Sequence, residues 1–193
     1  LVLFALNDTG YKNLSQLVSK IYIEGKGDQY LYLKRDWIPQ YSEGLLALSG
    51  GKDGEVGRAL LGRKDEYAAR LVREWMEIFP NAYYLELHRT GREGEEEYNA
   101  AAVDLALALD CPVVATNQVR FLAEEEYEAH EARVCIHEGT TLNDPRREKR
   151  YSHEQYLKTS EQMVKLFADI PEAIENTIEI ARRCNVDLDL GRN

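Results

Sequence analysis

No apolar run in the 193 residues approaches the roughly 18 needed for a helix to cross a bilayer, so no transmembrane helix and no membrane partner are expected. Positive charge is in deficit. The 24 Lys and Arg face 34 Asp and Glu, a formal charge of −10. That argues against nucleic-acid binding spread over the whole surface, because neutralising phosphates takes an excess of cations, although a local basic patch stays open. Cysteine is scarce: Cys111, Cys135 and Cys184 are odd in number, far apart and contain no Cys-x-x-Cys pair. This argues against a disulfide framework or a zinc cluster and for buried thiols in a reducing cytoplasm. Residues 50–54 (GGKDG) come near a phosphate loop without meeting Gly-x-x-x-x-Gly-Lys-Ser/Thr, so a glycine turn between strand and helix is favoured. No Gly-x-Ser-x-Gly nucleophile elbow occurs. No charged-then-apolar leader with a small-residue cleavage site is visible.

What is there suits a folded chain. At 44% hydrophobic and 30% charged residues, the length matches one domain or most of one. Short apolar runs at 1–6, 45–48, 83–87 and 112–116 alternate with helical periods at 11–23, 64–78 and 95–109. Asn7, Asp8, Thr9 and Gly10 supply turn and cap chemistry before the first helix. This β-then-α rhythm, with three helical crossovers, predicts a mainly parallel sheet, open or closed into a barrel. Polar chemistry then gathers beyond the strand C-termini, at Asn7 and Asp8, 49–53, 88–91 and 117–120. Further on, 124–136 predicts a helix with Ala129, Ala132, Val134 and Ile136 available for burial. Ser160 is placed to cap a helix reaching 168, and Pro171 occupies N1 of a helix over 172–184. A chain that opens inside a core strand is expected to be a piece of something longer. Missing strands would expose apolar edges, so self-association, strand swapping or rearrangement is expected.

Candidate site residues are few. Glu86 and His88 are two apart at a strand end, so period 2 puts both on one sheet face; the ordinary reading is a polar pair at a sheet edge. The next strand end offers Asn117, Gln118 and Arg120, which are poor metal ligands. His130 and His137 lie seven residues apart on a helix, favouring surface or capping positions. Cys135 and His137 diverge on that helix, so no dyad is supported. Arg146, Arg147, Lys149 and Arg150 form a basic cluster with Asp144 and Glu148 interspersed. A solvated loop is the ordinary reading, and contact with DNA or an acidic partner is the alternative.

Several segments carry a resemblance: EGLLALSGG at 43–51, YLEL at 84–87, VVATN at 113–117, LFADIPEA at 166–173 and IARRCNV at 180–186. With AHE at 129–131 before Cys135 and Ile136, they resemble the PHP (polymerase and histidinol phosphatase) domain of bacterial replicative DNA polymerase III alpha subunits, over essentially the whole chain. The resemblance implies an α/β fold, an incomplete, distorted (β/α)7 TIM-like barrel. Residues 1–193 would be a truncated PHP domain, with the helices over 160–184 leading towards the polymerase core. Members with a working site hold metals through His, Asp, Glu and Cys at strand ends. By the same resemblance, Gly51 stands where such members have Cys, Thr90 where they have His, and Gln118 and Arg120 where they have Asp-x-His. Glu86 alone keeps an acidic residue near that place.

The resemblance therefore implies no cofactor in this segment, with Mg2+ reserved for the parent polymerase, and a vestigial site of Gly51, Glu86, His88, Thr90, Asn117, Gln118 and Arg120. Arg120 is expected to replace the metal's charge beside the surviving carboxylates. The implied role is a non-catalytic, cytoplasmic scaffold. It would stabilise the polymerase core of the same chain, dock the proofreading exonuclease (epsilon) subunit and meet DNA through the parent protein. The rival reading is a metal-dependent phosphoesterase, acting as exonuclease or pyrophosphatase, which needs bound metal to activate water. A third is a DNA-contacting module built on residues 146–150.

Overall fold

The computed structural model describes residues 1–25, 27, 30–187 and 191. Among the described residues, four strands, β1 (Val2–Ala5), β2 (Leu45–Leu48), β3 (Tyr83–His88) and β4 (Val113–Thr116), form one open sheet in the order β1-β2-β3-β4. Seven α-helices among the described residues accompany them: α1 (Asp8–Glu24), α2 (Glu55–Leu61), α3 (Asp65–Ile78), α4 (Glu95–Leu109), α5 (Tyr127–Glu138), α6 (Ser160–Leu166) and α7 (Pro171–Arg183). The α/β class and an unclosed sheet of PHP-barrel type agree with expectation.

Every residue of β2 and β3 is buried. Strands covered on both faces read as continuous apolar runs, which is why these two are legible in sequence. Leu46, Leu85 and Leu87 are fully enclosed, and Trp75 stacks between Phe79 and Tyr83. β2–β3 and β3–β4 are parallel, joined through α2–α3 and through α4. β3 therefore lies in the middle of the sheet, with its C-terminal end beside those of β2 and β4.

β1 departs from expectation. It pairs antiparallel with β2, Val2 opposite Leu48 and Ala5 opposite Leu45, and it alternates exposed and half-buried residues as an edge strand does. The cause is local. The Leu6 amide donates to the Gly44 carbonyl at 2.8 Å, so the chain enters β2 at the end where β1 left it. Among the described residues two crossovers, not three, join parallel neighbours. Asn7 caps α1, its Oδ1 accepting the Gly10 amide at 3.0 Å, so the helix begins earlier than its apolar period suggests. Leu17 is buried beneath it, whereas Val18 is exposed.

In the last third, Thr159 rather than Ser160 caps α6, in a reciprocal box with Gln162. Pro171 does stand at the first turn of α7. α7 packs on β4, and Asn176 donates to the Val113 carbonyl at 2.8 Å. The buried side of α5 is His130, Glu131 and Cys135, while Ala129 and Ile136 are exposed. The apolar face expected for this helix is thus replaced by a polar one. Glu131 can be buried because Arg147 reaches it at 2.5 Å.

Candidate functional site

Period 2 along β3 carries Glu86 and His88 to one face, as expected, but in the centre of the sheet and not at its edge. Glu86 is 6% exposed and His88 1%. Glu86 Oε2 accepts the Gly50 amide at 3.1 Å, and Oε1 accepts the Thr116 hydroxyl at 2.6 Å. His88 Nε2 lies 3.3 Å from the same Oε1. The Glu86 amide donates to Ser49 Oγ at 2.9 Å. From α4, Tyr98 donates its hydroxyl to the Glu86 carbonyl at 2.9 Å, and Asn99 donates to the His88 carbonyl at 2.7 Å. Burial pushes the Tyr98 phenol far up, which keeps it protonated as a donor.

Burial alone would raise the Glu86 carboxyl. The hydrogen bond and charge of His88, the Thr116 hydroxyl and the Gly50 amide outweigh it, and the group lies below its ordinary 4.5. A carboxyl lowered on folding stabilises the fold above its unfolded value. That contribution fades as pH falls through the lower folded value. Glu86→Gln is therefore expected to lower stability at neutral pH. Its urea midpoint should also change less than the parent's between about pH 5 and pH 3. Parallel acid limbs in the two proteins would show that Glu86 does not carry this part of the pH dependence.

Gly51, with φ +59°, lies against the His88 ring. A Cβ placed on it would be 2.3 Å from His88 Cε1 and Nδ1, so the imidazole fills the space a side chain at 51 would need. Thr90, fully buried, belongs to a different cluster. Its amide and hydroxyl donate to Glu95 at 2.6 and 2.7 Å, and Arg92 Nε donates to Glu95 at 3.0 Å while its other end reaches Asp53. Between His88 and Thr90, Arg89 points elsewhere, gripping Asp169 and the Leu166 carbonyl and tying this loop to the end of α6.

Asn117 clamps the carbonyls of Glu154 and Tyr156 at 2.9 and 2.7 Å. Gln118 has φ +44° and turns the chain away from the sheet; its carbonyl accepts from the fully buried Gln155 at 3.2 Å. Arg120 consequently leaves the strand mouth. It is exposed, its guanidinium lies 5.3 Å from the centroid of the Tyr151 ring, and it makes no hydrogen bond to Glu86. The expectation that Arg120 replaces a metal's charge there is wrong. Thr116, one β4 residue earlier than any candidate, and His88 supply the compensation instead.

The expected surface position of His130 is also corrected: it is 9% exposed and packed between Phe121 and Tyr151. His137 is exposed. In the basic cluster, Arg146 closes a turn on Asp144 at 3.1 Å, Arg147 pairs with Glu131, and Arg150 meets Glu148 and Glu138 at 3.1 and 3.4 Å. Lys149 makes no ion pair among the described residues.

The metal that the PHP resemblance implies does not fit these residues. Among the described residues, no group of three His, Cys, Asp or Glu side chains could hold an ion. Glu86 already accepts from Gly50 and Thr116, and Gly51, Thr90, Gln118 and Arg120 offer no replacement set. The thiols are elsewhere; burial pushes Cys111 up to about 12, which leaves it inert.

Of the sequence candidates, the structure brings Glu86, His88 and Gly51 together and places Asn117 on a separate clamp. Ser49 falls within the expected strand-end loop 49–53, whereas Thr116, Tyr98, Asn99 and Glu95 were not among the candidates. The detectable signal was alignment of strand ends, which puts Ser49 and Thr116 beside Glu86 once the parallel register is assigned. Tyr98 and Asn99 on the face of α4 towards β3 carry no such mark.

The PHP domain family matches residues 1–90. The chain is 51% identical over 192 residues to DNA polymerase III subunit alpha of Pseudomonas aeruginosa, covering 100% of this chain and 16% of that protein. It is 51% identical over 191 residues to the subunit of Vibrio cholerae, with 99% and 16% covered, and 48% identical over 192 residues to that of Haemophilus influenzae, with 100% and 16% covered. The chain thus spans about a sixth of the length of these curated relatives. With the open PHP-type sheet and the strand-end cluster around Glu86, these matches place the chain in the PHP-domain family, homologous along its length to DNA polymerase III alpha subunits.

Proposed function

We propose that the chain is a non-catalytic scaffold segment of a replicative DNA polymerase alpha subunit, working in the cytoplasm. The parent extends DNA on a template with Mg2+ held outside this segment. The segment braces the polymerase core and docks the proofreading exonuclease (epsilon) subunit. The observation that carries the reading is Glu86: the carboxylate at the family's strand-end site accepts from the Gly50 amide and the Thr116 hydroxyl with the His88 ring 3.3 Å away, so both of its oxygens serve as structural ties. Metal-assisted hydrolysis needs an open coordination position and an activated water, for which this mouth has no donor set.

The test uses the full-length alpha subunit carrying this segment. After chelation, its exonuclease retention and the melting of the segment should be unchanged. Lysine cross-linking to the exonuclease subunit should mark exposed lysines of this segment such as Lys64 or Lys149. Stoichiometric zinc or manganese retained by the segment would favour the phosphoesterase reading. Cross-links confined to other parts of the alpha subunit would remove the docking role.

A further inference from the structure

α5 and the segment that follows it, which contribute nothing to the Glu86 cluster, line a cleft of about 980 Å³. Its lining includes Arg133, Arg146, Arg147 and Arg150 with the carboxylates Glu138 and Glu148. Arg150 engages both of these, while Arg146 pairs with Asp144 and Arg147 with Glu131. Arg133 makes no ion pair among the described residues.

The buried lining is more telling. Three residues there carry buried polar atoms without hydrogen-bond partners: both ring nitrogens of His130, the hydroxyl of Thr140 and Nε of Arg147; Glu131 Oε1, on the carboxylate paired with Arg147, also has none. All three residues line this one cleft, and His130 is 9% exposed. A buried donor without an acceptor is costly, and native folds seldom leave several together. A neutral imidazole donates from one ring nitrogen, and the hydroxyl and guanidinium each donate, so one acceptor with several oxygens would serve all three. A tetrahedral anion meets that need, whereas a single carboxylate has only two oxygens to offer.

We propose that this cleft binds the phosphate group of a small phosphorylated ligand, seated on His130, Thr140 and Arg147, with Arg133 adding unpaired positive charge. The volume suits a ligand of nucleotide size. Because the unpaired donors are buried, the ligand must reach into the cleft, which a free or terminal phosphate can do and the backbone of a duplex cannot. The site deepens the reading of residues 146–150 as a basic contact and is independent of the scaffold role.

Calorimetric titration of the full-length protein with three probes tests this: inorganic phosphate, a 5′-deoxynucleoside monophosphate, and a single-stranded oligonucleotide without terminal phosphate. Saturable binding of phosphate or the mononucleotide is expected. Arg133→Gln and Thr140→Val should each weaken it roughly tenfold, and Arg182→Gln, on the exposed side of α7, should leave it unchanged. Circular dichroism of each variant checks the fold. Tighter binding of the mononucleotide than of phosphate identifies a nucleotide as the source, and equal affinity identifies the free anion. No saturation by either up to about 10 mM, or binding indifferent to Arg133 and Thr140, overturns the site. So does oligonucleotide binding that phosphate cannot displace.

Discussion

Gly10→Ala is expected to destabilise the chain by about 3 kcal/mol or more, read as a lower urea midpoint or as failure to fold. Two effects of opposite sign compete. Alanine is the better helix former by about 1 kcal/mol, which favours the variant. Against that, a methyl on Gly10 would lie 1.8 Å from the Gly44 carbonyl oxygen and 2.5 Å from its carbon. Both are backbone atoms, and the same oxygen accepts the Leu6 amide that fixes the entry to β2. No rotamer change relieves the contact, so either α1 lifts from the sheet or the β1–β2 connection moves. The clash wins. An alanine variant as stable as the parent would show that α1 does not dock this closely.

Gly51→Ala should cost about 2–5 kcal/mol, the sum of a left-handed φ for a residue with a Cβ and a methyl forced into the His88 ring. The two parts separate in a double-mutant cycle. With His88→Ala the steric part vanishes and the backbone part stays, so the double variant should be more stable than the two single losses added together. Strict additivity would mean that ring and glycine are not in contact. Gly51→Cys carries the same penalty. It should also gain no bound zinc over the parent, because Thr90 is committed to Glu95 and Arg120 has left the strand mouth. Equilibrium denaturation and elemental analysis read the two outcomes.

Much of the frame was legible because its strands are covered on both faces. LLAL at 45–48 and VVA at 113–115 are unbroken apolar runs, and the helices at 65–78 and 95–109 show clear limits. α2 was missed: seven residues set among Gly54, Gly57 and Gly62 present no full helical period. The direction of β1 was missed because local pattern does not encode strand sense; one hydrogen bond from Leu6 to Gly44 decides it. At the site, Glu86 and His88 follow from period 2, but their partners come from other strands and from α4, which no spacing along β3 can announce. Burial of His130 and Glu131 ran against the usual placement of ionisable residues, and it depends on Arg147, sixteen positions later.

The Asn117 clamp gives the molecule an order of events. The segment at 140–158 is largely without regular structure, and one amide at the tip of β4 holds two of its carbonyls, flanked by the pairing of Phe121 with Tyr156. Hydrogen exchange should therefore be hierarchical. The Arg120 and Leu157 amides can be released by a local detachment that leaves the sheet intact, whereas loss of β4 must free the whole segment with it. The strand behaves as a template and the segment as its dependant, so damage spreads in one direction only.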